Sequence, residues 1–393
     1  SGTIVDGLRL TGGGSQVYGL DIYFFTDDGI DIRGAGGNTI AYNDLDLNDY
    51  GVYVNSVTDN TIRNNEIYNN RTLGVLICCN SATGNQIADN DIHNNPNGVR
   101  LAAPSNTLKG NTIHANTTDG VILEGNSNTI GGTTTDARNL IYDNGDDGVE
   151  IANGSNNQVL GNYIGTANGT SAAANGENGV RVLSSNNTIG GTTAGARNII
   201  SGNSYGVLIE AGATGNQVLG NYIGTNASGT AALSNLYGGM SISGSNNTVG
   251  GTTAGARNII SGNGGIGVYI DGNGNQVLGN YIGTNAAGTA ALRNDSTGVL
   301  IMGSNNTIGG TTAGARNIIS ANGGDGVYIV GGPTGNQVLG NYIGTDATGT
   351  VILGNAVTGV GIDFASSNAV GGTAAGAGNL IVGNSSAGVL VRD

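Results

Sequence analysis

Several residue types are scarce in this sequence. Its 393 residues include no Trp, one Lys, two His, two Cys, two Met and three Pro. The cysteines are the neighbours Cys78 and Cys79, which cannot cross-link distant parts of the chain. No apolar stretch approaches the ~18 residues that span a bilayer, so no membrane span is predicted.

Positive charge is also scarce. Lys and Arg together number 13 against 27 Asp and Glu, which gives a formal net charge of −14. An acidic surface repels the phosphates of nucleic acid and of anionic lipid. We therefore expect no nucleic-acid partner.

Glycine, at 75 residues, is abundant, and it opens a repeated phrase of Gly, an aliphatic residue, a variable residue and another aliphatic residue. This alternation is typical of short strands with one apolar face. The phrase begins at Gly7, Gly29, Gly51, Gly74, Gly98, Gly120, Gly148, Gly179, Gly206, Gly239, Gly267, Gly298, Gly326, Gly359 and Gly388.

The spacing of this phrase defines a coil. Successive steps are 22 to 24 residues up to Gly120 and 27 to 33 residues afterwards, and each step contains three strand-like segments. Every strand is read in the same direction, so like residues stack on like residues. The pattern predicts an all-β fold, a right-handed parallel β-helix of about fourteen coils. We expect one domain over residues 1–393, with short coils in 1–120 and longer coils in 121–393 that repeat in pairs of about 60 residues.

An Asn recurs immediately before the third strand of each coil, and we predict a structural ladder of stacked amides. Asn can bond the same residue of the next coil, although a buried amide stack is costly unless every member is satisfied. The ladder residues are Asn43, Asn65, Asn90, Asn111, Asn162, Asn221, Asn280 and Asn341, and the longer coils continue it with Asn139, Asn198, Asn258, Asn317 and Asn379.

Two different turns are lengthened, each in every second coil. The turn before the third strand gains six residues, as in 190–197, and the segment before the next first strand gains a loop, as in 226–233. The first type of loop carries one Arg each, at Arg138, Arg197, Arg257 and Arg316. These arginines are interpreted either as a binding comb for an anionic polymer or as caps for carbonyls or acids of their own loop. A second comb, Tyr163, Tyr222, Tyr281 and Tyr342, is interpreted either as a set of sugar-stacking platforms or as ordinary strand residues.

The repeated units Gly-Val-x-Ile and Asn-x-Ile-x-x-Asn-x-Ile resemble the parallel β-helix repeats of the pectate-lyase-like superfamily, including its NosD-like and carbohydrate-lyase groups. The unit Thr-Ile-Gly-Gly-Thr-Thr-Ala-Gly-Ala-Arg-Asn is similar to repeats of large bacterial secreted and surface proteins. The resemblance covers the whole chain and implies the fold, but a shared fold does not assign a function.

Enzymes of this superfamily imply a polysaccharide groove along the first sheet, but their motifs are largely missing. There is no Gly-His-Gly, Arg-Ile-Lys or Asp-Pro-His, and His93 and His114 lie in third-strand segments. The best catalytic candidates are Glu150 and Arg181, with Glu124 and Arg100 nearby, because they occupy or follow outward positions of the first strands. The same residues fit an exposed cross-strand ion pair.

No metal site is assigned from the sequence, although calcium would suit the acidic residues. Ca²⁺ takes several oxygen ligands, which Asp44, Asp46, Asp49, Asp146 and Asp147 could supply. None of them forms the Gly-Gly-x-Gly-x-Asp calcium repeat.

These observations favour a non-catalytic extracellular structural or adhesive β-helix over a polysaccharide-binding protein, lyase or hydrolase. The expected partners are a polysaccharide or further copies of the chain, at a bacterial cell surface or outside the cell. The chain starts inside a third strand near Ile4 and Val5, ends as a first strand forms at 388–393, and shows no capping helix. Open ends of this kind would favour stacking end to end or a place inside a larger surface protein.

Overall fold

Three long parallel sheets build the molecule. In the computed structural model, which describes residues 5–393, the sheets contain 15, 14 and 14 strands, and each strand pairs with its counterparts in the preceding and following coils. The predicted right-handed parallel β-helix is confirmed, as fourteen complete coils and one additional first-sheet strand. Ile4 lies outside the described residues, and Val5 does not belong to a strand.

The strands are short, because each coil turns three times. The first sheet consists of Leu8–Leu10, Ile30–Ile32, Tyr50–Asn55, Leu73–Cys78, Asn97–Leu101, Val121–Leu123, Val149–Ile151, Val180–Val182, Tyr205–Ile209, Gly238–Ile242, Ile266–Ile270, Val299–Ile301, Val327–Val330, Val360–Asp363 and Val389–Arg392. The second sheet consists of Gln16–Tyr18, Thr39–Ala41, Thr61–Arg63, Gln86–Ala88, Thr107–Lys109, Thr129–Gly131, Gln158–Leu160, Thr188–Gly190, Gln217–Leu219, Thr248–Gly250, Gln276–Leu278, Thr307–Gly309, Gln337–Leu339 and Ala369–Val370.

The third sheet carries the shortest strands in the loop-bearing coils. It consists of Asp21–Tyr23, Asp44–Asp46, Glu66–Tyr68, Asp91–His93, Thr112–His114, Leu140–Tyr142, Tyr163–Ile164, Ile199–Ile200, Tyr222–Ile223, Ile259–Ile260, Tyr281–Ile282, Ile318–Ile319, Tyr342–Ile343 and Leu380–Ile381. The helical residues are single 3₁₀ turns at Thr135–Ala137, Ala194–Ala196, Ala254–Ala256 and Ala313–Ala315. None of the described helices has the length and apolarity needed to cross a bilayer.

A continuous column of aliphatic side chains fills the interior. Each strand contributes one or two inward residues, mostly Ile and Val, and those of the central coils are fully buried. The repeated Gly stands at the corner where each first strand begins. A Cβ on Gly148 would lie 2.7 Å from Ile164 Cγ2 and 2.8 Å from the Asn175 side-chain nitrogen, so no larger residue fits there.

The predicted Asn ladder is confirmed and extends without a break from Asn43 to Asn379. Each amide nitrogen donates to the side-chain oxygen of the next member, as Asn198 Nδ2 does to Asn221 Oδ1 at 2.9 Å. The same nitrogen also donates to a carbonyl of the preceding coil, here Val159 O at 2.7 Å. Both hydrogens of the buried amide are therefore used.

The other two corners carry Asn ladders that the sequence interpretation missed. One runs from Asn38 to Asn368 before the second strands, and the other runs from Asn48 to Asn384 before the first strands. In the short coils the three Asn are five residues apart, as in Asn60, Asn65 and Asn70. This spacing was the available signal. In the ladder before the second strands, the continuous link is the bond from each Asn backbone N to the next Asn Oδ1, and the side-chain nitrogens of Asn128 and Asn157 have no partner.

The two types of loop form a second layer outside the β-helix. Loops of alternate coils touch each other across the plain turn between them, because Ala286 N donates to Gly229 O at 2.9 Å and Ala347 N donates to Gly288 O at 2.8 Å. Beneath these loops lies a second apolar cluster of Ile199, Tyr222, Ile259, Tyr281 and Ile318. The lengthened coils therefore have a small core of their own outside the third sheet.

Candidate functional site

Charged side chains of successive coils meet on the outward face of the first sheet. Glu150 pairs in register with Arg181, as the sequence predicts, and Arg181 Nη1 lies 3.2 Å from Glu150 Oε2. Arg181 also donates through Nε to Glu210 Oε1 at 3.0 Å. A single arginine thus bridges carboxylates of the preceding and following coils.

The other two predicted residues form a separate pair. Arg100 donates two hydrogen bonds to Glu124, from Nε to Oε2 at 3.0 Å and from Nη2 to Oε1 at 2.6 Å. Ile122 stands between this pair and Glu150 in the sheet register. The four predicted residues therefore lie on one face but in two ion-paired groups. Glu210 was missed, although it follows its strand at the position that Glu124 occupies three coils earlier.

Two buried carboxylates, Asp119 and Asp147, lie beside Arg181 at the position immediately before the repeated Gly, between Asn97 and Asn178 of the neighbouring coils. Asp119 Oδ1 accepts a hydrogen bond from Asp147 N at 3.1 Å, and Asp147 Oδ1 accepts from both Asn178 N and Asn178 Nδ2, at 2.9 and 2.8 Å. Asp147 is fully buried, and its Oδ2 has no hydrogen-bond donor but lies 4.0 Å from Arg181 Nη1. The Asn178 amide donates a hydrogen bond to Asp147, but the ionised Asp147 carboxylate has no hydrogen to donate to Asp119 in the preceding coil.

Burial controls the ionisation of these two acids. Desolvation raises the pKa of Asp147 to about 7, and hydrogen bonds from Asn178 oppose that shift. Desolvation likewise raises the pKa of Asp119 to about 6. Near neutral pH the two acids are therefore partly protonated.

Acidic residues gather in three places where oxygen atoms approach one another. One group is Asp119, Asp146 and Asp147, a second is Asp21, Asp44 and Asp46, and the third is Asp6, Asp27 and Asp28. Of the proposed calcium ligands, Asp49 belongs to none of these groups. All three offer oxygen atoms alone, which suits Ca²⁺ or Mg²⁺ in principle. Calcium binding remains a prediction.

An open pocket of about 380 Å³ lies next to Arg181, because its wall residue Leu208 pairs in register with Arg181 in the following coil. Its walls include Asn178, Glu177, Leu208, Tyr205 and Tyr237. The two tyrosine rings lie 5.8 Å apart at an angle of 49°, and Tyr237 is 59% exposed. This combination of exposed aromatic faces and polar groups was not recognised from the sequence, because Tyr237 precedes its strand in a loop.

The Arg and Tyr combs meet, so they are a single feature. Each guanidinium stacks on a tyrosine ring of the following coil, with Arg197 4.0 Å from the centroid of Tyr222. Each Arg Nε also donates to a glycine carbonyl of that coil, as Arg197 does to Gly220 at 3.3 Å. The expectation that each Arg caps its own loop is corrected, because the acceptor belongs to the next coil. The four pairs are Arg138–Tyr163, Arg197–Tyr222, Arg257–Tyr281 and Arg316–Tyr342.

This stacking restricts access to the tyrosine comb. Tyr222 and Tyr281 are only 9% and 8% exposed, because the loops of the third sheet cover them and Arg occupies one ring face. Binding by these Arg and Tyr side chains remains a prediction, whereas their contacts give them a packing role. The open aromatic surface lies instead on the first-sheet side, at Tyr205 and Tyr237.

The chain matches a family model described as periplasmic copper-binding protein (NosD), over residues 14–132 and 77–233. The two overlapping matches together span more than half of the chain. This protein belongs to the NosD family. The family description names a periplasmic, copper-binding protein, so the residues of this chain can be tested for a set of copper ligands. No curated protein sequence matches the chain.

Three solved structures match this chain at low sequence identity and low TM-score. The A-module of the mannuronan C-5 epimerase AlgE4 of Azotobacter vinelandii has 14% identity and a TM-score of 0.41, with 96% of this chain and 91% of that chain covered. Tailspike protein 3 of bacteriophage CBA120 has 12% identity and a TM-score of 0.42, with 94% and 55% covered. PfbA, a surface adhesin of Streptococcus pneumoniae, has 11% identity and a TM-score of 0.31, with 96% and 85% covered.

A copper centre of several imidazoles is not assembled by this chain. His93 and His114 are stacked 5.0 Å apart between two tyrosines, and each Nε2 faces a carboxylate, Glu66 at 3.4 Å and Asp91 at 3.1 Å. Within residues 5–393, no group of three potential ligands contains a His or Cys. The soft donors in contact are the thiols of Cys78 and Cys79, whose Sγ atoms lie 3.1 Å apart. Two thiolates suit copper(I) rather than copper(II).

Proposed function

We propose that this protein is a non-catalytic, adhesive β-helix that binds a neutral polysaccharide along the outer face of its first sheet. The observation that carries the proposal is the pocket beside Arg181, where Tyr205 and Tyr237 expose ring faces next to Asn178 and Glu177. Sugar rings stack their apolar faces on aromatic side chains, while neighbouring polar groups receive their hydroxyls.

The charge of the face favours an uncharged chain. Arg181 is already matched by Glu150 and Glu210, and Glu177 adds a further negative charge at the pocket. With the net charge of −14, this surface repels polyuronates and sulfated glycans. A neutral polysaccharide avoids that repulsion.

The ion pairing and burial of the carboxylates on this face support binding without cleavage. Glycoside hydrolysis requires two carboxyl groups that flank the scissile bond and reach it. Glu124, Glu150 and Glu210 are held by arginine, and Asp147 is fully buried. The alternative, a lyase or hydrolase, is favoured by one observation, the raised pKa of Asp119, about 6, which keeps part of the acid protonated in weakly acidic solution.

A glycan array followed by affinity electrophoresis tests the proposal. Binding to a neutral polysaccharide is expected for the wild type and is expected to fall at least about tenfold in Tyr237→Ala and Tyr205→Ala, because each loses a stacking face. Tyr18→Ala is the matched control, since Tyr18 is 43% exposed but lies on the second sheet. Equal losses in Tyr18→Ala and Tyr237→Ala would contradict the assignment.

A product assay separates adhesion from catalysis. The wild type is expected to release neither new reducing ends nor unsaturated products from a polysaccharide that it binds. Product release that disappears in Asp119→Asn would overturn the non-catalytic proposal and place the acid at Asp119.

A further inference from the structure

Three acidic side chains meet at the corner where the first strands of the first two coils begin. Asp6 and Asp28 each stand immediately before the repeated Gly of their coil, and Asp27 precedes Asp28. One carboxylate oxygen from each of the three lies within 4.8 Å of the others. Asp28 is only 1% exposed, whereas Asp27 is half-buried. The group is therefore a buried corner that opens to solvent at Asp27.

The inner carboxylates of this group lack hydrogen-bond donors. Asp6 Oδ1 and Asp28 Oδ1 are buried without a donor, and the Asp28 side chain has no hydrogen bond or ion pair within residues 5–393. The later acids at the same corner differ, because Asp119 accepts from Asp147 N at 3.1 Å and Asp147 accepts from Asn178 Nδ2 at 2.8 Å. Burial of a charged oxygen without a donor is costly, so this carboxylate requires another partner.

The positive charges nearby do not balance the acids. Arg9 Nε lies 2.9 Å from Asp31 Oδ2, and Arg33 pairs with the same oxygen. Arg9 also pairs with Asp6. These contacts match two arginines with two acids, whereas the other two acids of the corner have no ion pair in the described part of the chain. Two negative charges remain, and one divalent cation would neutralise them.

The donor atoms and their spacing suit calcium. Ca²⁺ binds oxygen at about 2.3–2.6 Å, so two of its ligands can lie up to about 5 Å apart, whereas Mg²⁺ binds at about 2.0–2.1 Å and holds its ligands within about 4 Å. Three carboxylate oxygens within 4.8 Å of one another therefore fit the larger ion. Ca²⁺ also accepts water as a ligand, which solvent supplies on the side of Asp27.

The other two acidic groups are less suited to a cation. The group of Asp21, Asp44 and Asp46 contains no buried residue, so water solvates its charges. In the group that contains Asp147, Arg181 Nη1 already lies 4.0 Å from Asp147 Oδ2. The first of the three corners is the one in which a fully buried acid has neither a donor nor an arginine.

We infer that Asp6, Asp27 and Asp28 bind one calcium ion between the first two coils. The ion supplies the missing partner of the buried carboxylates and joins the corners of two successive coils. In the chain without the ion, a proton takes its place, because burial and then the charge of Asp27 raise the pKa of Asp28 to about 8. Calcium displaces this proton on binding.

Calorimetric titration of Ca²⁺ into the chelator-treated full chain tests the site, in about 0.15 M salt to screen weak binding to the acidic surface. One ion per chain is expected, with a Kd below about 1 mM. Asp28→Asn and Asp27→Asn are each expected to weaken binding at least about tenfold, because each removes a charged ligand. Asp44→Asn, in another acidic group, is the matched control and is expected to bind as the wild type does. Loss in Asp44→Asn with binding retained in Asp28→Asn would place the ion elsewhere and overturn the inference.

Thermal unfolding gives a second readout. Ca²⁺ at about ten times its Kd is expected to raise the melting temperature of the wild type by about 2 °C and to leave that of Asp28→Asn unchanged. Asp28→Asn is expected to fold, because Asn178 occupies the same corner position in a later coil, and circular dichroism checks this. A wild type that takes up no Ca²⁺, an equal shift in Asp28→Asn, or Mg²⁺ binding as tight as that of Ca²⁺ would each overturn the calcium assignment.

Discussion

At the scale of single residues, amide stacking replaces the ion pairs and large polar networks of many globular proteins. Asn221 Nδ2 donates to Ile189 O at 2.9 Å and to Asn258 Oδ1 at 3.2 Å, and its Oδ1 accepts from Asn198 Nδ2 at 2.9 Å. All of these groups are buried. Each Asn therefore satisfies its neighbours on both sides, and the loss of one member leaves groups in two other coils unpaired.

Asn221→Ala is expected to lower the free energy of unfolding by about 3 kcal/mol, since it leaves buried donors and acceptors without partners. Equilibrium unfolding in guanidinium, followed by circular dichroism, measures the loss. Thr225→Ala is the comparison variant, because Thr225 is equally buried but donates only to Asn226 O. A loss in Thr225→Ala as large as that in Asn221→Ala would contradict the importance of the ladder.

The Arg–Tyr stacks provide a second residue-scale test. Arg197 lies 4.0 Å from the ring centroid of Tyr222, which is almost buried, and a partly desolvated cation–π pair contributes roughly 1–2 kcal/mol. A double-mutant cycle with Arg197→Ala and Tyr222→Leu is expected to show a favourable coupling of that size. Additive single-variant effects would mean that the two side chains pack independently.

One ladder could be predicted at this scale, but its two companions and the Arg–Tyr pairing were missed. Attention went to the Asn before the third strand, although the repeated unit Asn-x-Ile-x-x-Asn-x-Ile contains the Asn before the second strand as well, as at Asn38. Pairing of Arg197 with Tyr222 could not be deduced, because the loop conformation decides where a long flexible side chain ends. The open pocket at Tyr205 and Tyr237 was missed for the same reason.

At the scale of secondary-structure elements, the loops stabilise one another through backbone contacts. The 3₁₀ turn Ala254–Ala256 lies over the preceding loop of its type, and a Cβ on Gly255 would lie 1.9 Å from Thr192 O. The sequence predicted which corners and which coils carry loops, because insertions are visible in the repeat length. The sequence did not predict the contacts between loops. These contacts depend on the loop conformation and on the distance between loops, which lie two coils apart.

Gly255→Ala is expected to displace this loop and to destabilise the protein by about 2 kcal/mol or more, because the carbonyl it meets is backbone and cannot swing aside. Gly378→Ala is the matched control in the last loop of the same type, where a new Cβ meets nothing within 4 Å. Thermal unfolding and limited proteolysis of the two variants make the comparison. Equal melting temperatures would show that the loops are not packed on each other.

At the scale of the whole molecule, the solenoid is uniform in its core but uneven in its charge. Inward side chains and Asn ladders continue from the first coils to the last, which is why composition and repeat length were enough to predict the fold. The buried acids are less regular. Three with strongly raised pKa values, Asp28, Asp119 and Asp147, stand immediately before the repeated Gly in coils before Gly179. The repeat gives their position, but most of the other coils carry different residues there, so the repeat did not predict acids.

These buried acids make stability depend on pH in a defined direction. Desolvation raises the pKa of Asp28 to about 8, of Asp147 to about 7 and of Asp119 to about 6, whereas an unfolded Asp titrates near 4. Between about pH 4 and pH 8 the native chain thus binds more protons than the unfolded chain. The free energy of unfolding therefore falls as pH rises through this window. The lowered pKa of Asp91 acts in the opposite direction, but only below that window, near pH 4 and under it.

Asp147→Asn tests the source of this pH dependence. An amide at position 147 keeps the acceptor for Asn178 and adds a donor toward Asp119, as the Asn178 amide donates to Asp147. Unfolding in guanidinium at pH 5 and pH 8 is expected to show a less stable wild type at pH 8, by on the order of 2 kcal/mol, and a smaller difference in Asp147→Asn. Asp271→Asn, which changes an exposed acid, is expected to retain the wild-type difference. A pH dependence that is identical in Asp147→Asn and the wild type would show that burial does not raise the pKa of Asp147.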